Sequence, residues 1–146
     1  MMRSLLLAAL LVVLAGGAGK EDATTKDLEK MQGNWAQVSM VVDGEKLGED
    51  EAQALFRTIK GQEYTVARYK KTIGKGSFTL DAGKKPKNID ARPAIAGQNI
   101  TMLGIYEFEG EKLKLCFARA GRPRPTEFAA RKDSGHTFSV WEREKK

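Results

Sequence analysis

Four carboxylates lie in or beside segments with the alternation of β-strands, and paired carboxylates are the groups in this chain best suited to catalysis. Two such groups facing each other inside a barrel could serve as general acid and general base. Charged side chains on strands more often face solvent or pair with Lys and Arg. An enzyme of the cell envelope that uses paired strand carboxylates is therefore the alternative interpretation. The four residues are Asp81, Asp90, Glu107 and Glu127.

Other catalytic or metal-binding sites would need several cooperating side chains, and the sequence offers only one histidine and one cysteine for them. His136 is the only histidine and follows a predicted turn, whereas a metal site needs several ligands converging on one point. Cys116 is the only cysteine, so no disulfide can form within the chain, and we interpret it as a small buried apolar residue. A hydrolytic triad would depend on His136 alone. We therefore predict no catalytic residue, no metal site and no cofactor.

Short alternating segments separated by turn residues predict the elements of the fold. Their regular spacing favours an antiparallel meander over βαβ units. Closing a sheet of eight or nine such strands removes its unpaired edges. We predict an all-β fold, an up-and-down antiparallel barrel with one or two short helices. The predicted strands are residues 35–42, 57–59, 63–69, 76–81, 87–92, 99–108, 111–118, 126–131 and 137–143.

The first strand, two helices and one hairpin can be predicted in more detail. Strict alternation puts Trp35, Gln37 and Ser39 on one face of the first strand. A capping pattern at residues 24–27 predicts a short helix that ends near Gly33, and a second helix begins at residue 49. In the hairpin around residues 105–117, Leu113, Leu115 and Phe117 are predicted to be buried.

The first eighteen residues have the pattern of a cleaved secretory signal. A basic start is followed by an apolar run of about a dozen residues, too short for a membrane-spanning helix, which needs ~20. No cysteine follows the small residues, so lipid anchoring at that site is excluded. We predict a signal peptide over residues 1–18, a linker and helix start over 19–27, and a barrel domain over 28–146. The protein is then exported and periplasmic or extracellular, without a membrane span.

The net charge of the chain without the predicted signal peptide indicates which kinds of partner are possible. Residues 19–146 carry 24 basic and 19 acidic side chains, a balance that permits contact with anionic surfaces without requiring it. No platform of interleaved aromatic and basic residues stands out, so no nucleic acid is expected. We expect a monomer with a small hydrophobic or anionic ligand, or with a partner in the cell envelope.

Six blocks of residues, beginning with Gly33-Asn34-Trp35 and Val42-Asp43-Gly44, carry a resemblance to known proteins. They resemble a family of uncharacterised secreted domains, described as lipocalin-like and expanded in planctomycete bacteria. The resemblance covers about residues 28–146. It implies a lipocalin-like barrel but no activity, cofactor or catalytic residue, since none is established for that family. By fold analogy alone, a small apolar ligand would lie inside the barrel. The blocks are Gly33-Asn34-Trp35, Val42-Asp43-Gly44, residues 85–90, residues 104–107, residues 113–116 and residues 122–128.

The same resemblance gives a structural role to the opening motif. In lipocalin-like barrels the tryptophan of this motif packs at the closed end against a basic side chain of the last strand. Gly33 and Trp35 occupy the motif positions here. The basic side chain is predicted to be Arg143 or Arg131, in a cation–π contact worth roughly 0.5–2 kcal/mol.

Alternating connections predict an arginine cluster at the other end of the barrel. If successive loops lie at opposite ends, residues 93–98 and 119–125 share one mouth with the second helix. Arginine forks suit carboxylate and phosphate, so the cluster predicts binding of an anionic or amphipathic ligand. Acidic residues at 49–51 would instead neutralise the rim. The cluster comprises Arg92, Arg119, Arg122 and Arg124.

These observations favour a binding or interaction module of unknown ligand over an enzyme. A barrel whose interior is filled by side chains would instead use its outer surface as an interaction domain. An open interior of mixed polarity would favour a small amphipathic or anionic molecule.

Overall fold

The computed structural model describes residue 19 and residues 21–144, and the predicted signal peptide lies outside the described residues. The first helix, α1, covers residues 21–31. The second helix, α2, covers Glu49–Gln53. The strands are β1 Gly33–Val42, β2 Glu45–Lys46, β3 Leu55–Lys60, β4 Glu63–Arg68, β5 Lys71–Asp81, β6 Lys87–Pro93, β7 Met102–Glu109, β8 Lys112–Ala118 and β9 His136–Arg143.

Eight of these strands form a closed antiparallel barrel. Each strand from β3 to β8 pairs with the next, β1 pairs with β3, and β1 also pairs with β9 to close the sheet. The short β2 adds to β1 outside this ring. The predicted fold class, an up-and-down antiparallel barrel with short helices, is confirmed. Because every connection is antiparallel, successive loops alternate between the two ends.

Helix α1 covers one end of the barrel, called the closed end below. Trp35 donates its indole N–H to the carbonyl of Met31 at 2.9 Å, and Gln32 bonds Gly61 in the β3–β4 turn. Met31 is 1% exposed, and Leu28 packs against the same core. The filled part of the barrel lies directly above α1. Its fully buried side chains include Trp35, Tyr106, Leu113, Leu115 and Trp141.

A bulge in β1 overturns the strict alternation predicted for this strand. The register shifts between Gln37 and Ser39, so that Met40 pairs with the inward-facing Ser139. Gln37 stays inside with Trp35, but Ser39 moves to the outer face. Bulges of this kind insert one unpaired residue and change the facing of everything beyond it.

A long connection between β8 and β9, residues 119–135, packs along the outer wall of the barrel. The thiol of Cys116 faces this connection and donates to the carbonyl of Ala129 at 3.5 Å. Within the connection Ala130 is buried, and Phe128 contacts Phe138 of β9 with ring centroids 6.3 Å apart. The prediction that Cys116 is a small buried apolar residue is confirmed.

Three element boundaries predicted from the sequence differ from those in the structure. Residues 126–131 form no strand, because they belong to this outer connection. Their apolar side chains alternate in the sequence because Phe128 and Ala130 pack against the outer wall of the barrel. Residues 21–23 also belong to α1, so the first helix begins three residues before the predicted capping pattern at residues 24–27. The β5 strand also begins at Lys71, five residues before the predicted start, because it pairs with β4 through a two-residue turn.

Candidate functional site within the open end of the barrel

The end of the barrel opposite α1 is called the open end below. Side chains whose register partners face the core point inward there, since paired residues share a face of the sheet. Several of these inward-facing side chains are partly exposed, as are Tyr64, Leu80 and Phe108 nearer α1. The partly exposed inward residues at the open end are Met40, Val66, Met102, Phe117 and Thr137.

Arg57 faces the barrel interior between Leu55 and Ile59, the two buried inward residues of β3. Its register partners are Trp35 and Val66, both inward-facing. The guanidinium carbon lies 4.8 Å from the ring centroid of Trp141 and 5.1 Å from that of Tyr64. Its Nε is buried and has no hydrogen-bond partner, while the residue as a whole keeps partial exposure. Arg57 is therefore an inward-facing cation with aromatic neighbours and an unpaired Nε.

No carboxylate compensates this cation among residues 21–144. Arg57 takes part in none of the ion pairs or side-chain hydrogen bonds of that part of the chain. Burying a charge without a partner is costly, and contact with aromatic rings recovers only about 0.5–2 kcal/mol. Burial lowers the pKa of Arg57 to about 10, with a smaller opposing effect from Tyr64, so the side chain is a cation at neutral pH.

Arg143 is an inward-facing arginine of the same barrel whose N–H groups are paired. Its guanidinium carbon lies 4.3 Å from the ring centroid of Trp35, as the opening motif predicted for one of two arginines. Unlike Arg57, it uses its N–H groups on backbone carbonyls, donating to Gln32 at 2.7 Å and to Lys30. Gly33 lies under the same guanidinium, where an added Cβ would come within 3.2 Å of it. Arg131, the other candidate, pairs with Glu127 instead.

Gln37 provides a second unused polar atom beside Arg57. It is 2% exposed and donates its Nε2 to the carbonyl of Ala52 in α2 at 2.9 Å. Because a carbonyl can only accept, this bond fixes the orientation of the amide. The Oε1 atom is buried without a partner. The interior thus offers unused donors on Arg57 and an unused acceptor on Gln37, one inward position apart on adjacent strands.

The four carboxylates of the enzyme alternative do not line this interior. Asp90 and Glu107 alternate with the inward-facing residues of β6 and β7 and so face outward. Asp90 pairs with Arg124 at 2.7 Å, and Glu107 lies 3.9 Å from Lys114. The remaining two are Asp81, which accepts from the amide of Gly83, and Glu127, which pairs with Arg131. No acidic residue occupies an inward position of the eight barrel strands as described.

The four predicted ligand-binding arginines do not converge on the interior. Arg92 is on the outer face, donates to Thr79 at 3.3 Å and lines a groove of about 380 Å³ with Lys75. Arg124 lies against the outer wall, where it bonds the carbonyl of Gly104 at 2.7 Å and pairs with Asp90. The two others, Arg119 and Arg122, are exposed in the connection from residue 119 to 135.

A basic groove at the closed end is a second candidate for anions. It measures about 450 Å³ and is lined by four lysines together with Tyr106 and Phe108. Two of its cations already have partners, since Lys87 pairs with Asp27 at 2.8 Å and Lys30 lies 4.6 Å from the Phe108 ring centroid. The barrel interior, where the cation of Arg57 is buried without a carboxylate partner, is the stronger site. The four lysines are Lys30, Lys84, Lys85 and Lys87.

Sequence reasoning missed Arg57, although a signal was present. The segment Leu55-Phe56-Arg57-Thr58-Ile59 places an arginine at the alternation position shared by two residues that are buried in the structure. A cation in phase with apolar neighbours on a barrel strand points inward. Its lack of a carboxylate partner depends on strands distant in sequence and could not be deduced from the pattern.

Three wider observations complete the description. Within residues 21–144 no group of three or more Cys, His, Asp or Glu side chains is placed to hold a metal ion. Neither helix of that part is long and apolar enough to cross a bilayer. Comparison with known protein families, curated proteins and solved structures finds no match to this chain.

Proposed function

We propose that this protein is an exported lipocalin-like binding module that holds a small amphipathic anion inside its barrel. The observation that carries the proposal is the interior cation Arg57, which has aromatic neighbours but no carboxylate among the described residues. An anionic headgroup bound there would supply the missing counter-charge. The apolar part of the ligand would lie among Met40, Val66 and Phe117 toward the open end.

The unused acceptor on Gln37 refines the ligand chemistry. A hydroxyl group next to the anionic group could donate to Gln37 Oε1 while the anion accepts from Arg57. Charge-assisted hydrogen bonds of this kind are about twice as strong as neutral ones. The ligand class that fits best is an organic acid with an apolar tail and a hydroxyl close to its acidic group.

Export and family membership belong to the same proposal. The basic and apolar start of the chain supports a cleaved signal, and the block resemblance supports a secreted lipocalin-like family. An exported carrier needs no catalytic residue, which agrees with the outward position of the strand carboxylates.

Native mass spectrometry of the exported protein, purified gently from its own host, tests the proposal. We expect an added mass that is lost on denaturation and that fragments as an organic anion. The Arg57→Met variant, purified in the same way, should lack this mass, whereas Arg92→Met on the outer face should keep it. Recovery of the same adduct on Arg57→Met would contradict an interior anion site.

A further inference from the structure

The exposed large apolar side chains of the described chain gather at the open end of the barrel. Tyr69 is 73% exposed in the β4–β5 turn, Ile73 is 55% exposed at the start of β5, and Ile95 is 47% exposed after β6. Val42, 39% exposed, ends β1. Strand directions alternate around the ring, so all four positions lie at the end opposite α1.

Three of the four share one side of this end. Ile73 lies in β5 and Ile95 lies just after its partner strand β6, where the amide of Ala94 still bonds the carbonyl of Lys75 in β5 at 2.9 Å. Tyr69 is at the tip of the hairpin that β5 forms with β4. Tyr69, Ile73 and Ile95, with the cations between them, are called the mouth patch below.

The mouth patch carries positive charge without acidic residues. Residues 64–80 contain no Asp or Glu, and neither do residues 91–106. The acidic side chains nearest to it are in α2 at residues 49–51, because α2 ends beside this hairpin, where the amide of Tyr69 bonds the carbonyl of Ala54 at 3.2 Å. The turn of the hairpin and the strand residues next to it therefore carry cations only. The exposed cations of the hairpin are Arg68, Lys70, Lys71 and Lys75.

The hairpin turn holds its side chains at a conformational cost. Tyr69 and Lys70 both have positive φ, 49° and 66°, as a two-residue turn of this hand requires. Asn-Gly satisfies that geometry with least strain, whereas a tyrosine and a lysine do not. A turn with an exposed aromatic residue and a cation, in place of the favoured residues, is suited to contact with a partner surface.

We propose that the mouth patch docks the open end of the barrel onto a lipid bilayer that carries anionic headgroups. Tyrosine favours the interface between headgroups and hydrocarbon, and isoleucine favours the hydrocarbon side. Basic residues at the surface of an anionic membrane each contribute about 1 kcal/mol. Docking in this orientation would place the opening of the barrel at the membrane. The proposal does not depend on what the interior binds.

Vesicle sedimentation measures the docking. The purified exported protein, with its N-terminus mapped so that an uncleaved apolar segment cannot account for binding, is mixed with two kinds of vesicle. One kind is phosphatidylcholine alone, and the other is an equal mixture with phosphatidylglycerol. We expect binding to the anionic vesicles only, and weaker binding as salt is raised. Absence of binding to anionic vesicles would overturn the proposal.

Charge-matched variants separate docking from net charge. Lys70→Gln with Lys71→Gln should weaken vesicle binding by about tenfold or more, since two surface cations are lost. Lys60→Gln with Lys84→Gln removes the same charge at the closed end and should leave binding nearly unchanged. Equal loss in the two pairs would show a non-directional charge effect and contradict the mouth patch.

Tryptophan quenching tests the orientation directly. Both native tryptophans are 1% exposed, so a tryptophan added at the surface is the one that lipid quenchers can reach. With brominated lipids in the anionic vesicles, Tyr69→Trp should be quenched and Lys60→Trp should not. Vesicle binding without quenching at position 69 would assign the contact to another face and overturn the proposal.

Discussion

At the residue scale, the two inward arginines provide a matched comparison. Both lie over tryptophan rings, but Arg143 donates to backbone carbonyls, whereas Arg57 donates to no described group. A buried charge that stabilises the fold should be paired with groups of the protein itself. A buried charge that serves binding can be unpaired in the ligand-free protein. The contrast makes the role of Arg57 measurable without knowing the ligand.

We predict that Arg57→Met raises the free energy of unfolding while Arg143→Met lowers it. Methionine at position 57 removes an uncompensated buried charge, so the ligand-free protein should gain about 1 kcal/mol or more. Methionine at position 143 leaves two backbone carbonyls without donors, at a cost of about 1–3 kcal/mol. Urea unfolding of ligand-free protein measures both changes. A loss of stability in Arg57→Met as large as that in Arg143→Met would make Arg57 a structural residue.

Tyr106 links α1 to the barrel and should determine part of the alkaline stability. Its hydroxyl donates to Asp27 at 2.7 Å, and burial, then this bond, raises its pKa above the ordinary tyrosine value. A raised pKa in the folded state contributes stability below the unfolded pKa of about 10 and loses it as the pH rises further.

Tyr106→Phe should therefore flatten the fall in stability at high pH. We expect the variant to lose about 1 kcal/mol at neutral pH, where the hydrogen bond is missing. Above pH ~10 the difference from the wild type should shrink, because only the unfolded wild-type tyrosine ionises readily. Urea unfolding across this pH range is the measurement. A difference that grows with pH would contradict the assignment. Tyr64, whose pKa burial also raises, remains in both proteins.

At the element scale, the connection from residue 119 to 135 acts as an outer cover. Arg124 attaches it to β6 and β7 through Asp90 and the carbonyl of Gly104, and it covers the thiol of Cys116. Burial also raises the pKa of the Cys116 thiol. The thiol is therefore a probe of whether the cover stays in place.

We predict that Arg124→Gln exposes Cys116 without unfolding the barrel. In the wild type, a thiol reagent should react with Cys116 only at the rate of global unfolding. Loss of the attachment should raise that rate by about tenfold or more, since breaking a partly buried ion pair costs more than 1 kcal/mol. Arg122→Gln, in the same connection but exposed, is the control and should change nothing. Equal rates for the two variants would show that Arg124 does not hold the cover.

The same elements show what alternation in the sequence can and cannot predict. Leu113 and Leu115 are buried as predicted, because the hairpin they belong to keeps strict alternation and a tight turn. Residues 126–131 have a similar pattern but pack on the outer wall without pairing. The bulge in β1 leaves no mark in the sequence, because it is fixed by pairing with β9, about a hundred residues later.

At the scale of the whole molecule, the two ends of the barrel are built differently. Helix α1 and the aromatic core fill the closed end, and the interior above them holds the unpaired buried atoms Arg57 Nε and Gln37 Oε1. The barrel and the alternation of its connections followed from turn spacing and the need to close a sheet. The interior charge balance did not, because it depends on which side chains eight separate strands bring together.

Calorimetric titration with octanoate and with octan-1-ol tests the central claim most directly. The two probes share an apolar tail and differ in charge. In the ligand-free wild type we expect saturable binding of octanoate at one site, about tenfold or more tighter than binding of octan-1-ol. Arg57→Met should lose this preference, and the outer-face variant Arg92→Met should keep it. Octanoate binding of equal strength in the wild type and in Arg57→Met, or no octanoate binding to the ligand-free wild type, would contradict an anion site at Arg57.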